Sequence, residues 1–311
     1  MKHINHHPRL ASLIVFVLGL LTLLPCAHAE TSLRPARLML GFYFQSITEM
    51  ASRSDIEVSL NFWAKDLLAE EASKVNIHFT ESRAILFDNM EDMHNAMLRG
   101  ELDMVVGPPL LLARYFKRNE LSDGFTGLLD GGRPDNLLLI ARNDKNIQSV
   151  KDLQGKKLLM LADDEMADVF LDTLFLKQFS KGYKNIASAV EQQKKASRIV
   201  LDIYFKKSDA GIVYRNAYDV MVELNPDIAN NIVILDKYPI RSRNFSYFVA
   251  GYPFAADLAN MAISIFKNNP RAQQILDVFK TPELANCAVK ELDEFDKFYA
   301  GYLKLNRHEK P

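Results

Sequence analysis

Cysteine is nearly missing from this 311-residue chain: Cys26 and Cys287 are the only two. No Cys-x-x-Cys pair and no cysteine metal cluster can be built from them. Histidine offers little more. Of seven, His3, His6, His7 and His28 crowd the first 28 residues, while His78, His94 and His308 stand far apart, so a histidine metal site has little to draw on. The sequence holds no Gly-x-Ser-x-Gly elbow, no His-Glu-x-x-His and no Cys–His pair, and hydrolase or zinc-protease chemistry lacks its signs. An excess of one charge is also missing. The 38 Lys and Arg face 39 Asp and Glu, without the basic surplus that binding nucleic acid requires. Internal repeats, low-complexity tracts and long linkers are absent.

The apolar run from Leu10 to Leu24 is short for a membrane span of about 20 residues. It reads instead as the middle of an export signal, with Lys2 and Arg9 before it and Pro25-Cys26-Ala27-His28-Ala29 after it. Ala27 and Ala29 flank His28 with the small residues a signal peptidase needs. Residues 1–29 are therefore expected to be a signal peptide cleaved after Ala29. A lipid anchor on Cys26 is the lesser reading, because Pro25 stands where a small residue is required. Removal of 29 residues from 311 leaves 282, with 36 basic against 39 acidic side chains, a formal charge of −3. Only Cys287 remains, so no internal disulfide can form in an oxidising compartment. It reads as a small buried apolar residue in a helix. A chain of this length, 48% hydrophobic, exceeds one usual domain and predicts two lobes.

From Arg37 onward, short β-type runs alternate with helical patterns, as in βαβ units on a mostly parallel sheet. Strands are predicted at 37–44, 76–80, 102–107, 136–142, 158–161, 208–214 and 232–235, with 245–251 returning the chain to the first lobe. Ser54 and Glu57 read as a capping box opening a helix that carries Ile56, Leu60, Trp63 and Leu67 on one face. Trp63, the sole tryptophan, is expected in the core. Met90, Met93 and Met97 form a helical stripe closed by Gly100. At this spacing a methionine stripe is core packing rather than a copper site. Gly107-Pro108-Pro109 breaks the third strand before another helix. A capped turn at Ser149–Lys157 leads into the strand at Leu158. Further helices are predicted up to Gly182, at 188–206, 216–224, 258–267, 272–279 and 284–303. The segment Asp130-Gly131-Gly132-Arg133-Pro134 is expected to cross between the lobes.

Four segments carry a resemblance: Gly41-Phe42-Tyr43-Phe44, Leu98-Arg99-Gly100-Glu101-Leu102-Asp103-Met104-Val105, Val150-Lys151-Asp152-Leu153-Gln154-Gly155-Lys156-Lys157, and Ser208-Asp209-Ala210-Gly211-Ile212-Val213. With them, nearly the whole mature chain resembles the type II periplasmic substrate-binding proteins, most closely the phosphate- and phosphonate-binding branch of ABC importers. The third segment is the most telling. The resemblance implies an α/β, two-lobed fold with mostly parallel sheets, flanking helices and two crossing segments. Residues 30–135 and 241–311 would form one lobe and 136–240 the other. The ligand would lie between them, where strand ends and helix starts face the cleft.

Carried over position by position, this nominates Tyr43 and Phe44 after the first strand, and Gly107 and Pro108 after the third. It also nominates Asp163 to Met166, with Asp163 and Asp164 foremost, and Tyr214, Arg215 and Asn216; Arg241 and Arg243 are weaker candidates. One departure stands out. Where phosphonate-holding relatives place Ser, Thr and Gly, this chain has Ala162-Asp163-Asp164-Glu165-Met166. Carboxylates repel anions, so the acidic cluster either suits a cationic or zwitterionic ligand or simply caps a helix. Arg215 could pair with a ligand anion through its planar fork or be a solvated charge. The resemblance implies a small-molecule ligand, no cofactor, no metal, no catalytic residue, a periplasmic location and a monomer delivering its solute to an ABC permease. The alternatives are a ligand sensor docking on a membrane kinase, or an enzyme on the same fold.

Overall fold

The computed structural model describes residues 36–44, 52–143, 147–278 and 281–307. The expected signal peptide, its cleavage after Ala29, and His308 lie outside them. The chain opens with β1 (Ala36–Tyr43), β2 (Phe79–Phe87), β3 (Met104–Gly107) and β4 (Leu121–Leu128). It then builds β5 (Asp135–Arg142), β6 (Lys157–Leu161), β7 (Ala189–Gln193), β8 (Ala210–Tyr214) and β9 (Ile232–Ile240), and returns through β10 (Phe245–Val249) to β11 (Glu283–Cys287). Two sheets result, one ordered β11-β4-β10-β3-β1-β2 and the other β7-β6-β8-β5-β9.

The helices are α1 (Arg53–Phe62), α2 (Ala69–Ser73), α3 (Met90–Leu98), α4 (Pro109–Tyr115), α5 (Glu165–Phe179), α6 (Tyr183–Ile186), α7 (Ala196–Tyr204), α8 (Arg215–Leu224), α9 (Asp227–Asn231), α10 (Ala255–Asn268), α11 (Pro270–Val278) and α12 (Asp293–Asn306). A π-helical turn, Trp63–Leu68, joins α1 to α2. Among the described residues no helix is long and apolar enough to cross a membrane.

The helical stripes land where the spacing puts them. Ile56, Leu60, Trp63 and Leu67 are buried, as are Met90, Met93 and Met97, and Gly100 closes α3 at φ 72°. Trp63 stacks on Phe266 at 6.1 Å and meets Phe42 and Phe125 edge-on. A second cluster is shared by both sheets: Tyr43 and Val105 of the first, with Met93 of α3, pack into the same core as Leu139 and Tyr214 of the second, with Phe170 of α5. Helix α12 joins that core through Phe295 and lies against both α4 and α5.

Several expectations need correction. The sheets are mixed. Parallel pairing holds within β2-β1-β3 and β7-β6-β8, whereas β4, β5, β9, β10 and β11 pair antiparallel. The chain passes from β4 to β5 through a 3-10 turn at Asp130–Gly132 and from β9 to β10 through residues 241–244, connections without the long crossover helix that parallel neighbours need. The capping box is Ser52 with Asp55, two residues earlier than expected: Ser52 Oγ accepts from Asp55 N at 3.2 Å, and Ser52 N donates to the Asp55 carboxylate at 3.3 Å.

The second strand begins at Phe79, not Asn76. Asn76 sits at φ 62° after the α2 end and interrupts extension. Residues 188–206 are not one helix, because the polar run 189–193 is β7, an exposed edge strand. Residues 284–303 divide into β11, a 3-10 turn at Val289–Leu292 and α12, so Cys287 is buried on a strand. Strand β4 escapes the alternation pattern because two glycines interrupt it. A Cβ at Gly124 would come within 2.2 Å of Ser246 O on β10, so only glycine permits that approach.

Candidate functional site

The parallel register aligns the ends of the first sheet's strands. Phe42 pairs with both Leu86 and Val106, so Tyr43, Asp88 and Gly107 emerge at one edge. A Cβ at Gly107 would stand 2.9 Å from Met90 Cε and 3.4 Å from Tyr43 Cβ, which keeps that corner tight. Pro108 follows as the residue before α4, with Pro109 at its first position. Tyr43 and Phe44 take opposite faces: Tyr43 is buried in the core shared by the sheets, while Phe44 packs on the other cluster under the Arg53 guanidinium at 4.8 Å. Arg53 also bonds Asp88 at 2.5 Å.

In the second sheet β6 and β8 are parallel and end on the same side. After β6 the chain turns through Asp163, held in the left-handed region at φ 57° with its side chain exposed. Aspartate tolerates this conformation better than most residues. Asp164 is the N-cap of α5, its Oδ1 accepting from Ala167 N at 3.0 Å. The same oxygen accepts from the Tyr214 hydroxyl at 3.2 Å. Tyr214 ends β8 and is buried, and the Arg243 guanidinium lies 4.3 Å over its ring.

Antiparallel pairing of β5 with β8 sets Leu137 opposite Tyr214 and brings Asp135, the first residue of β5, beside the start of α8. Asp135 is only 3% exposed. Its Oδ1 accepts from its neighbour Asn136 N at 2.7 Å and from Asn216 N at 3.4 Å.

The electrostatics tie these pieces together. Burial raises the Tyr43 phenol above its ordinary pKa, and Asp163, Tyr115, Asp164 and Asp88 raise it further. The charge of the turn after β6 thus reaches a first-sheet phenol. Burial and Asp164 also push Tyr214 well up, with Arg243 opposing. Burial raises the Asp135 carboxyl, while the Asn136 amide, Arg243 and the Asn216 and Arg215 amides pull it back. Both phenols are neutral donors near pH 7.

The remaining candidates are committed elsewhere. Arg215 Nε bonds Asp219 on its own helix at 2.7 Å, and Asn216 Oδ1 accepts from Ala217 N at 2.7 Å. Arg241 grips Glu291 at 2.6 and 2.7 Å. Sequence reasoning missed Asp135, whose sign was an acid opening an otherwise apolar strand. It also missed Arg114, which ion-pairs with Glu165 beside the acidic turn and lies 4.5 Å over the Tyr299 ring. Helix α4 follows the first sheet's β3 and α5 follows the second sheet's β6, so this contact joins the two halves.

Among the described residues no group of three or more His, Cys, Asp or Glu side chains could hold a metal. The site offers carboxylate acceptors, phenol donors, the half-buried guanidinium of Arg243 and that of Arg114. A separate groove of about 390 Å³, lined by Glu71, Met261, Ser264 and Asn268, lies between α2 and α10. Its polar groups are taken up by Lys74 and by helix-internal bonds.

A family model described as the periplasmic substrate-binding protein of a phosphonate ABC transporter matches residues 78–266, more than half of the chain. No curated protein matches by sequence. Among solved structures, a Xanthomonas citri protein bound to chloride ion is similar at 15% identity and TM-score 0.63, covering 87% of this chain and 99% of that one. A binding-protein component of an ABC phosphonate transporter from Pseudomonas aeruginosa gives 11% identity and TM-score 0.61, with 89% of both chains covered. PhnD1 from Prochlorococcus marinus, in complex with methylphosphonate, gives 12% identity and TM-score 0.58, covering 86% of this chain and 98% of that one. At these identities the likeness is one of fold.

Proposed function

The chain belongs to the periplasmic phosphonate-binding family of ABC-transporter substrate-binding proteins, and from that premise we propose that it closes on a small polar solute carrying positive charge, alone or as a zwitterion. The observation that supports this reading is the acidic turn Asp163-Asp164-Glu165 after β6, beside a core that Tyr43 of the first sheet shares with Tyr214 of the second, whose hydroxyl meets Asp164 at 3.2 Å. Solute binding is the business of the family. Its members are binding proteins of importers, and the site supports the same role here: it offers hydrogen-bonding groups and no nucleophile–base pair.

Acceptors dominate where the halves face each other. Asp163 is exposed, and Asp164 stays partly accessible while capping α5. An ammonium group would be held by these carboxylates, with Tyr43 as a flat wall for the remainder. The chain reaches the periplasm by the signal at residues 1–29, cleaved after Ala29, acts as a monomer without catalysis, and hands its solute to an ABC permease.

A thermal-shift screen of the chain from Glu30 to Pro311 tests the reading against amino acids, aminoalkylphosphonates, polyamines, alkylphosphonates and phosphate. A ligand at one hundred times its Kd adds about 2.7 kcal/mol, a rise of several degrees for a protein of this size. The expected hits carry an amine. Hits confined to alkylphosphonates and phosphate would overturn the charge assignment, and silence across the panel, with no co-purified solute by mass spectrometry, would overturn the binding role of this cleft. Mass spectrometry of the exported protein tests the cleavage site, with Glu30 expected as its first residue.

A further inference from the structure

Helix α12 carries different partners on its two flanks. Asp293 and Asp296, three apart and so on one side of the helix, both bond Arg118 just ahead of β4, Asp293 at 3.2 Å. Phe298 and Tyr302, four apart, form the other flank. There the Phe298 ring meets Tyr238 of β9 at 4.5 Å, and Tyr238 in turn lies 5.9 Å from Phe170 of α5. Tyr302 stands by Asp172 of α5, where burial and that carboxylate push its phenol up to about 12. Between the flanks, Phe295 is fully buried against Phe245 of β10 at 5.8 Å, and Tyr299 lies under Arg114 of α4 at 4.5 Å. One side of α12 thus belongs to the first half and the other to the second.

We infer that α12 is a strap across the hinge: it is anchored on the first half, clasps the second through Phe298 on Tyr238, and so holds the halves together before any solute arrives. This rests on the closing motion in the proposed function, not on the charge of the solute. The anchor is strong. The strand that leads into α12, β11, is paired with β4 over its whole length. Arg241, in the return crossing, grips Glu291 in the turn ahead of α12 at 2.6 and 2.7 Å. The start of α12 therefore cannot leave the first half without breaking a sheet edge. Its other flank meets the second half through side chains that are only half-buried, Phe298 and Tyr302. Ring contacts of this kind are modest, so a hinge motion can make and break them. A contact made in the closed form alone shifts the balance toward that form.

Small-angle scattering of the chain from Glu30, without solute, reads the clasp directly. A compact chain of that length should have a radius of gyration of about 19 Å. Phe298→Ala should enlarge it. Tyr238→Ala cuts the same contact from the second half and should enlarge it too, and it provides the test should Phe298→Ala fail to fold by circular dichroism. Phe254→Ala is the control. It truncates another half-buried phenylalanine, in the cluster that the first half keeps to itself, and should leave the radius unchanged. Amide exchange of β11 should stay as slow in Phe298→Ala as in the wild type, because the anchor is intact.

The inference is overturned if the wild type is already as expanded as the variants, if the folded clasp variants scatter as the wild type does, or if Phe254→Ala expands the chain as much. Faster exchange of β11 in Phe298→Ala would overturn the anchor, since the whole helix would then have come away. Failure of the ligand reading is separate: no solute enters this measurement, so silence across the thermal-shift panel would sink the proposed binding role and leave the strap standing.

Discussion

Tyr214 donates its phenolic hydrogen to Asp164 Oδ1 at 3.2 Å, the oxygen that also caps α5 by accepting from Ala167 N at 3.0 Å. One carboxylate therefore serves the helix, the neighbouring strand end and, in the proposed function, the solute. Two substitutions separate these duties. Asparagine caps helices as well as aspartate does, so Asp164→Asn should change unfolding free energy by less than about 1 kcal/mol while weakening an amine-bearing solute at least tenfold. Asp164→Ala also strands the buried Tyr214 hydroxyl, and the lost cap with the orphaned donor should cost about 2–3 kcal/mol. Urea denaturation and calorimetry on the same samples check both. Unchanged affinity in a folded Asp164→Asn would leave Asp164 a cap only.

The Arg114–Glu165 ion pair joins α4 to α5, and the stacking of Arg114 on Tyr299 brings α12 into the same contact. Both charged side chains are about one-third exposed, so the pair is worth little to overall stability, about 0.5–1 kcal/mol. Its leverage is on the balance between open and closed forms, since hinge closure can be biased by contacts made in one form only. Glu165→Gln should enlarge the radius of gyration by small-angle scattering without solute, and saturating solute should restore the compact profile. Its Tm should fall by no more than a few degrees. An unaltered scattering profile would show that the core shared by the sheets, and not this pair, holds the halves together.

How far the sequence announced all this depended on how buried each element is. Stripes such as Ile56, Leu60, Trp63, Leu67 and Met90, Met93, Met97 were legible because both helices bury one face. Strand β7, reading Ala-Val-Glu-Gln-Gln, and β11, reading Glu-Leu-Ala-Asn-Cys, were not, because edge strands bury few side chains and carry weak alternation. The site divides in the same way. Asp163 and Asp164 follow the end of β6 and Tyr214 is the end of β8, positions the alternation marks. Asp135 starts an antiparallel strand and comes beside the start of α8 only through the Leu137–Tyr214 register, a long-range fact that local pattern does not contain.

His94 on α3 and Glu120 before β4 meet at 3.0 Å, each 17% exposed. Burial alone would raise the Glu120 carboxyl, but the Lys117 amide, His94 and the Lys117 charge outweigh it, and the pKa is lowered. A carboxyl whose folded pKa lies below its unfolded value contributes stability that is present above the unfolded pKa, about 4.3, and is lost as the pH falls through the folded value. Wild type should therefore lose more stability than Glu120→Gln between pH 6 and pH 3, as read from urea midpoints. Parallel losses in the two proteins would remove Glu120 from the account of acid sensitivity.

Cys287 makes the edge of the first sheet measurable. It is fully buried on β11, burial pushes its thiol up to about 12, and the Tyr247 hydroxyl lies 3.2 Å from its Sγ. Only the thiolate attacks a disulfide reagent, and at pH 8 a thiol of that pKa is ionised about one part in ten thousand. Burial adds a second barrier, because β11 must part from β4 before any reagent can enter. The chain from Glu30 should thus leave an aromatic disulfide unreacted for many minutes in buffer and consume one equivalent at once in denaturing urea. Exchange in the native state then reports opening of β11, and Cys287→Ala, which removes one small buried group, should abolish the signal at a cost of about 1 kcal/mol. Immediate stoichiometric reaction in buffer would mean that β11 spends much of its time detached from β4. In that case α12, which follows it and lies against both α4 and α5, could not hold the two halves through a fixed anchor.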